Sequence, residues 1–145
     1  MKQKRLTPYK PRTIDRVVFG ILAVAFVTGA AYLIGPWYLT VTEGARTPLY
    51  AMINNHNIII LYGVLLFIDG LVLLYASVSD GNTRRYTHIV TNGLLVGFLL
   101  RLYSLIGVFL TLDSWKPPSY ISQTAIVLIT GSYWLWVRVN ARTAQ

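Results

Sequence analysis

The sequence predicts an all-α integral membrane protein: a four-helix bundle running antiparallel, up and down, with both termini on the cytoplasmic side. Three observations predict it. Of 145 residues, 54% are hydrophobic and only 12% are charged, against roughly 25% charged in a soluble domain. Too few polar side chains remain to cover a water-facing surface, which excludes an ordinary soluble domain and a disordered chain. Four apolar stretches also reach or approach the ~20 residues that cross a hydrocarbon core. Finally, lysine and arginine gather on alternate connections between those stretches. The length fits one transmembrane domain, residues 1–145.

The basic tail, residues 1–16, carries Lys2, Lys4, Arg5, Lys10, Arg12 and Arg16, with Pro8 and Pro11. It reads as extended, and ordered only where a partner or the membrane surface holds it. The first span covers about residues 17–39 (VVFGILAVAFVTGAAYLIGPWYL). Its apolar run is too long for a signal peptide and no small-residue cleavage site follows, so it is expected to stay in the mature protein. In the next connection Thr47-Pro48 reads as an N-cap with proline at the first helical position, starting an interfacial segment. The second span covers about residues 58–78. Ser79-Asp80-Gly81-Asn82-Thr83 is a turn signal, which makes the second span and the third, about residues 89–112, antiparallel neighbours. The segment from Asp113 to Pro118 reads as a rigid break, with Ser119 or Ser122 capping the fourth span, about residues 121–137, the shortest of the four. Helices are expected throughout, because an open strand in lipid leaves backbone groups unpaired at several kcal/mol each.

Orientation follows the positive charges. With four spans, the tail, Arg84 and Arg85 of the middle turn, and Arg138 and Arg142 of the last segment share one side, while Arg46 and Lys116 share the other. The richer side is cytoplasmic, and the expected site is the inner or plasma membrane. Trp37, Tyr38, Trp115 and Tyr120 would form the outer aromatic belt, and Tyr75, Tyr86, Trp134 and Trp136 the inner one. The net charge of +8 reads as this signal plus attraction of the N-terminal tail to anionic lipid headgroups, about 1 kcal/mol per basic residue. No aromatic stacking platform or nucleic-acid motif accompanies the charge, which argues against a nucleic-acid partner.

Two ionisable residues fall inside predicted spans, Asp69 and Arg101. A charge near the bilayer centre costs about 2.5–3.5 kcal/mol and needs a partner or a wet cavity. At 1.5 Å per residue, Asp69 lies ~14 Å and Arg101 ~18 Å from the same membrane face. The two are therefore expected to form an intramembrane ion pair. Tyr62, Asn92 and Tyr103 could extend a polar network around it, and Thr130 could add a cross-helix bond. Gly93 and Gly97 form a small-xxx-small helix-packing pair, read first as packing within the chain and second as a homodimer contact.

Little else carries chemistry. Cysteine is absent, which removes disulfides and thiolate chemistry. His56, with Asn54 beside it, could rim a pocket mouth on the outer side. His88 starts the third span on the inner side, so the two histidines cannot share a metal or a haem iron. No metal site, no cofactor and no nucleophile paired with a base is predicted, which leans away from an enzyme.

Leu61-Tyr62-Gly63 with Gly70 in the second span, and Arg101-Leu102-Tyr103-Ser104-Leu105 in the third, resemble the DoxX-like small bacterial membrane proteins. That resemblance covers about the middle half of the chain. It implies a compact four-helix bundle with both termini inside, and an accessory role beside redox or quinone-associated complexes. The first connection is longer than that pattern expects. The leading expectation is a non-catalytic subunit or accessory factor, held to a membrane protein partner or to copies of itself. A small-molecule, quinone or proton-handling protein centred on Asp69 and Arg101 is the second, and a phage-type holin or other pore-forming protein the third.

Overall fold

The computed structural model describes residues 8–34, 56–110 and 117–143. These form four α-helices: α1 Thr13–Ile34, α2 His56–Val78, α3 Arg84–Leu110 and α4 Pro117–Thr143. Trp37, Tyr38, the Thr47-Pro48 segment, Asn54 and Trp115 lie outside the described residues, as do the side chains of His56 and Tyr120.

Three helices are long and apolar enough to cross a membrane, over Thr13–Ala31, Asn57–Val78 and Arg84–Ile106. The fourth helix forms but does not reach that apolarity. Gln123, Thr124, Thr130, Ser132, Arg138 and Asn140 dilute it.

The helix ends depart from the predicted spans in a consistent way. Apolar runs mark where lipid would be, but helices propagate through polar flanks as long as an end is capped. The Arg12 carbonyl accepts the first bond of α1, from Arg16 N–H at 3.1 Å. Asp15 reaches back to the Arg12 N–H at 2.9 Å, the acidic half of a capping box. Thr83 caps α3, its Oγ1 accepting from Tyr86 N–H at 3.1 Å. Between α2 and α3, Gly81 (φ 70°) and Asn82 (φ 60°) make the expected turn in the left-handed region. The predicted break before α4 is corrected at its C-terminal end: Pro117 and Pro118 lie within the helix, where a first turn needs no proline N–H.

Packing rests on close approach at small residues. A Cβ at Gly20 would lie 3.1 Å from Ser77 Oγ, one at Gly70 2.9 Å from Val27 Cγ2, and one at Gly63 2.9 Å from Ile34 Cγ1. These contacts climb α2 as they descend α1. Gly93 meets Val72 of α2, Gly131 of α4 meets Phe98 of α3, and Phe19 of α1 meets Tyr133 of α4 edge-on at 5.6 Å. In lipid, where apolar burial between helices gains little, such contacts supply the attraction. Gly93 and Gly97 are buried within the chain against α2 and α1, so they serve the intramolecular role.

The tail departs from expectation in part. Tyr9 is buried and bonds at both backbone groups: its N–H donates to Thr87 Oγ1 at 2.7 Å, and its carbonyl accepts from Asn82 N–H at 3.0 Å. Pro11 packs on the Cα of Gly81, where a Cβ would sit 2.4 Å from Pro11 Cδ. The chain's own helices, and not only a partner or a membrane surface, hold this segment.

Candidate functional site

Asp69 on α2 and Arg101 on α3 are both buried, at 4% and 6% exposure. The expected ion pair between them does not form: among the described residues, the salt bridges are Arg12–Asp15 and Arg16–Asp80. The reason lies in α1. Gly29 leaves room for the guanidinium, and a Cβ there would stand 2.9 Å from Arg101 Nη2. Arg101 therefore turns to α1, where Nη2 donates to the Ala25 carbonyl at 2.8 Å. Its Cζ sits 4.8 Å from the centroid of the Phe26 ring, a cation–π contact.

Asp69 turns to the glycine step of α3. A Cβ at Gly93 would lie 3.5 Å from Oδ1, and one at Gly97 only 2.3 Å from Oδ2. The same point at Gly97 is 2.6 Å from Phe26 Cε2, so the ring that carries the guanidinium also reaches the glycine step beside the carboxyl. Asp69 Oδ2 and Arg101 Nε are buried without a hydrogen-bond partner. Leaving such groups unmade costs about 1–3 kcal/mol each, more for charged ones.

Of the expected network, Tyr62 is present: its hydroxyl donates to the Leu100 carbonyl, and its ring lies 6.4 Å from that of Tyr103. Asn92 is exposed on α3 and takes no part, because it lies on the face opposite Gly93 and Gly97. Thr130, expected to bond across helices, donates to Ile126 O of its own helix at 2.6 Å. His88 is exposed.

A second cluster lies at the end of the bundle that holds the Gly81–Asn82 turn. Asp15 is wholly buried. It accepts from Tyr9 Oη at 2.7 Å, Arg12 Nε at 3.3 Å and Arg12 Nη2 at 3.1 Å. The Arg12 guanidinium also lies 4.7 Å from the Trp136 ring centroid on α4. Burial, and then the hydrogen bond to the Asp15 carboxylate, push the Tyr9 phenol well above the ordinary tyrosine range. The same carboxylate holds Arg12 still more firmly protonated. Beside the cluster opens a cavity of about 230 Å³ lined by Pro8, Tyr9, Lys10, Arg12, Asp15, Trp136 and Asn140. The available signal was Arg12 and Asp15 three apart, with the acid in the first turn of a helix. Tyr9's part depends on the tail folding back, which no local pattern encodes.

Among the described residues, no three histidine or acidic side chains come together as a metal site. Compared with known proteins, the chain matches no family model, no curated protein and no solved structure.

Proposed function

We propose that the chain is an integral membrane protein of the inner or plasma membrane, an up-down four-helix bundle with cytoplasmic termini. It serves there as a non-catalytic subunit or accessory factor of a membrane protein complex. The face of α4 carries this reading. Ile121, Ala125, Leu128, Ser132, Leu135 and Val139 are all exposed, and their alternating spacing of four and three is that of a helix-packing seam. Small residues alternate with large ones along it, which lets a neighbouring helix approach closely. The exposed stripe of α1 (Ile14, Val17, Ile21, Val24) is bulky instead, as suits lipid tails. A helix too polar to stand freely in lipid, with a seam on its outer face, calls for a covering helix. The DoxX-like resemblance points to the same accessory role.

The orientation is supported by the docked tail. Tyr9 ties the residues around Lys10, Arg12 and Arg16 to the start of α3, which holds Arg84 and Arg85, and Arg12 reaches Trp136 near Arg138. The basic residues thus share one end, as the positive-inside rule asks. A photo-crosslinking residue at Ser132 is expected to capture one defined membrane protein, or a second copy, while the same residue at Val24 captures lipid. Equal patterns from both positions, or a lone 16.3 kDa species from gentle extraction, would refute the subunit reading.

A second reading rests on Asp69. An acid buried between helices, with one oxygen unpartnered and no ion pair, fits a proton-handling site. Infrared spectroscopy on the purified protein is expected to resolve a protonated carboxyl band that disappears in Asp69→Asn. If the band is absent at neutral pH, Asp69 is an ordinary carboxylate and this reading fails.

A further inference from the structure

We infer that the cavity between the docked tail and α4 is a binding site for the phosphodiester headgroup of an anionic phospholipid. The lining explains the ligand class. Lys10 is exposed, and among the described residues it has no ion-pair partner. Arg12 presents a second cation, but buried Asp15 cancels one charge. One net positive charge remains, which matches the single negative charge of a phosphodiester better than the dianion of free phosphate. Basic pockets between helices on the cytoplasmic side are where such headgroups bind.

Size and surroundings agree. The cavity is about 230 Å³, below the roughly 300–1,000 Å³ of a site for a whole drug-sized ligand. It suits a headgroup whose acyl chains stay outside. Those chains have a path beside the seam, because Trp136 and Ile129, seven residues apart on one face of α4, are exposed below the opening. Trp136 also stands at the depth where amphipathic rings meet headgroups. The walls are built in advance. The tail that supplies Lys10 is pinned on either side, by the backbone bonds of Tyr9 and by the Arg12–Asp15 contacts. Asn140 Nδ2 is anchored on the Trp136 carbonyl at 2.9 Å.

This inference rests on the chain being membrane-embedded with this end at a headgroup layer. That premise is checked separately: resistance to alkaline extraction from membranes supports it, and extraction refutes the premise whatever the lipid result. The site is tested on the full-length, delipidated protein in detergent by native mass spectrometry. The probes are phosphatidylglycerol, phosphatidylcholine and inorganic phosphate. Phosphatidylglycerol is expected to be retained over phosphatidylcholine, with no retention of inorganic phosphate. Lys10→Ala should weaken phosphatidylglycerol binding about fivefold and leave phosphatidylcholine unchanged. Arg85→Ala, at the same end of the molecule and outside the cavity, should change it less than about twofold. Equal losses from Lys10→Ala and Arg85→Ala would mean diffuse surface attraction and overturn the site. Equal retention of the two lipids would overturn the headgroup charge argument. Retention of inorganic phosphate at the same strength would assign the cavity to free phosphate and overturn the lipid.

Discussion

Replacing Gly97 with alanine tests the interior geometry at its tightest point. The new Cβ would stand 2.3 Å from Asp69 Oδ2 and 2.6 Å from Phe26 Cε2, where comfortable contact needs about 3.5–4.0 Å. Neither neighbour has room to retreat, since Asp69 is 4% and Phe26 0% exposed. Overpacking of this kind costs ~1–3 kcal/mol, and two obstructed sides place it at the upper end. Alanine recovers up to ~1 kcal/mol of helix propensity, which leaves a net loss of ~2 kcal/mol. Gly20→Ala is the control. There the Cβ meets Ser77 Oγ at 3.1 Å, and that hydroxyl, bonded to the Arg16 carbonyl at 2.8 Å, need give by only a few tenths of an ångström, so the loss should stay under ~1 kcal/mol. Reversible unfolding in mixed micelles, titrated with a denaturing detergent, measures both. Phe26→Leu should then reduce the cost of Gly97→Ala by at least ~0.5 kcal/mol, the coupling expected of residues in contact. A Gly97→Ala protein as stable as the wild type, or strict additivity with Phe26→Leu, would refute the placement of Phe26 against Gly97 and Asp69.

Three further outcomes follow from the same structure. Arg101→Met should cost under ~2 kcal/mol in that assay, because no partner is stranded; a loss of ~3–5 kcal/mol would mean that a buried ion pair exists after all. The charge-reversed double variant, Asp69→Arg with Arg101→Asp, should be no more stable than the better single variant, and rescue would contradict the separated arrangement. Tyr9→Phe removes a hydrogen bond to a buried carboxylate and should cost ~1.5–3 kcal/mol. The Tyr9 phenol is raised above its ordinary value of about 10, so the folded state favours its protonated form. Its contribution is whole below pH ~10 and is lost as pH rises above that. By tyrosinate absorbance, Tyr9→Phe should lower the number of late-titrating phenols by one, and unchanged titration would count against tail docking.

Legibility in the sequence tracked the physics each pattern reports. Long apolar runs state solvent preference directly, so α1, α2 and α3 were readable as membrane-length helices, and Gly81-Asn82 marked its turn without help. The ends were less readable, because capping by Asp15 and Thr83 extends helices beyond the apolar run. The fourth helix was less readable as a span: it forms over Pro117–Thr143, but its polar residues hold it below the apolarity of the other three. Depth arithmetic put Asp69 and Arg101 at similar levels along the bundle. It could not register which way each side chain turned, since that depends on the vacancy at Gly29 in a third helix. Phe26 gave no signal at all, being one aromatic among many apolar residues. The Tyr9–Asp15–Arg12 cluster was hidden because it joins the tail to residues more than 70 positions away, at Asn82 and Thr87.

The separation of the two buried charges gives them different roles. Bringing a carboxylate and a guanidinium together out of water is often no better than an apolar core, since desolvation offsets their attraction. Here each charge meets its own surroundings. Arg101 has a carbonyl at 2.8 Å and an aromatic face at 4.8 Å, contacts worth about 1.5–3 kcal/mol for the charged hydrogen bond and up to ~2 for the desolvated cation–π pair. Set against the ~2.5–3.5 kcal/mol insertion cost of an arginine and an Nε left without a partner, these contacts make Arg101 the better compensated of the two and a clasp between α3 and α1. Asp69 has no matching compensation: its Oδ2 faces the backbone of Gly97 and the edge of Phe26 without a donor. A group left uncompensated while its neighbour is provided for is the one with freedom to change state. That asymmetry makes Asp69, and not the pair, the residue on which any proton-linked behaviour of this protein would turn, and it predicts that Arg101→Met alters stability while leaving the Asp69 carboxyl band in place.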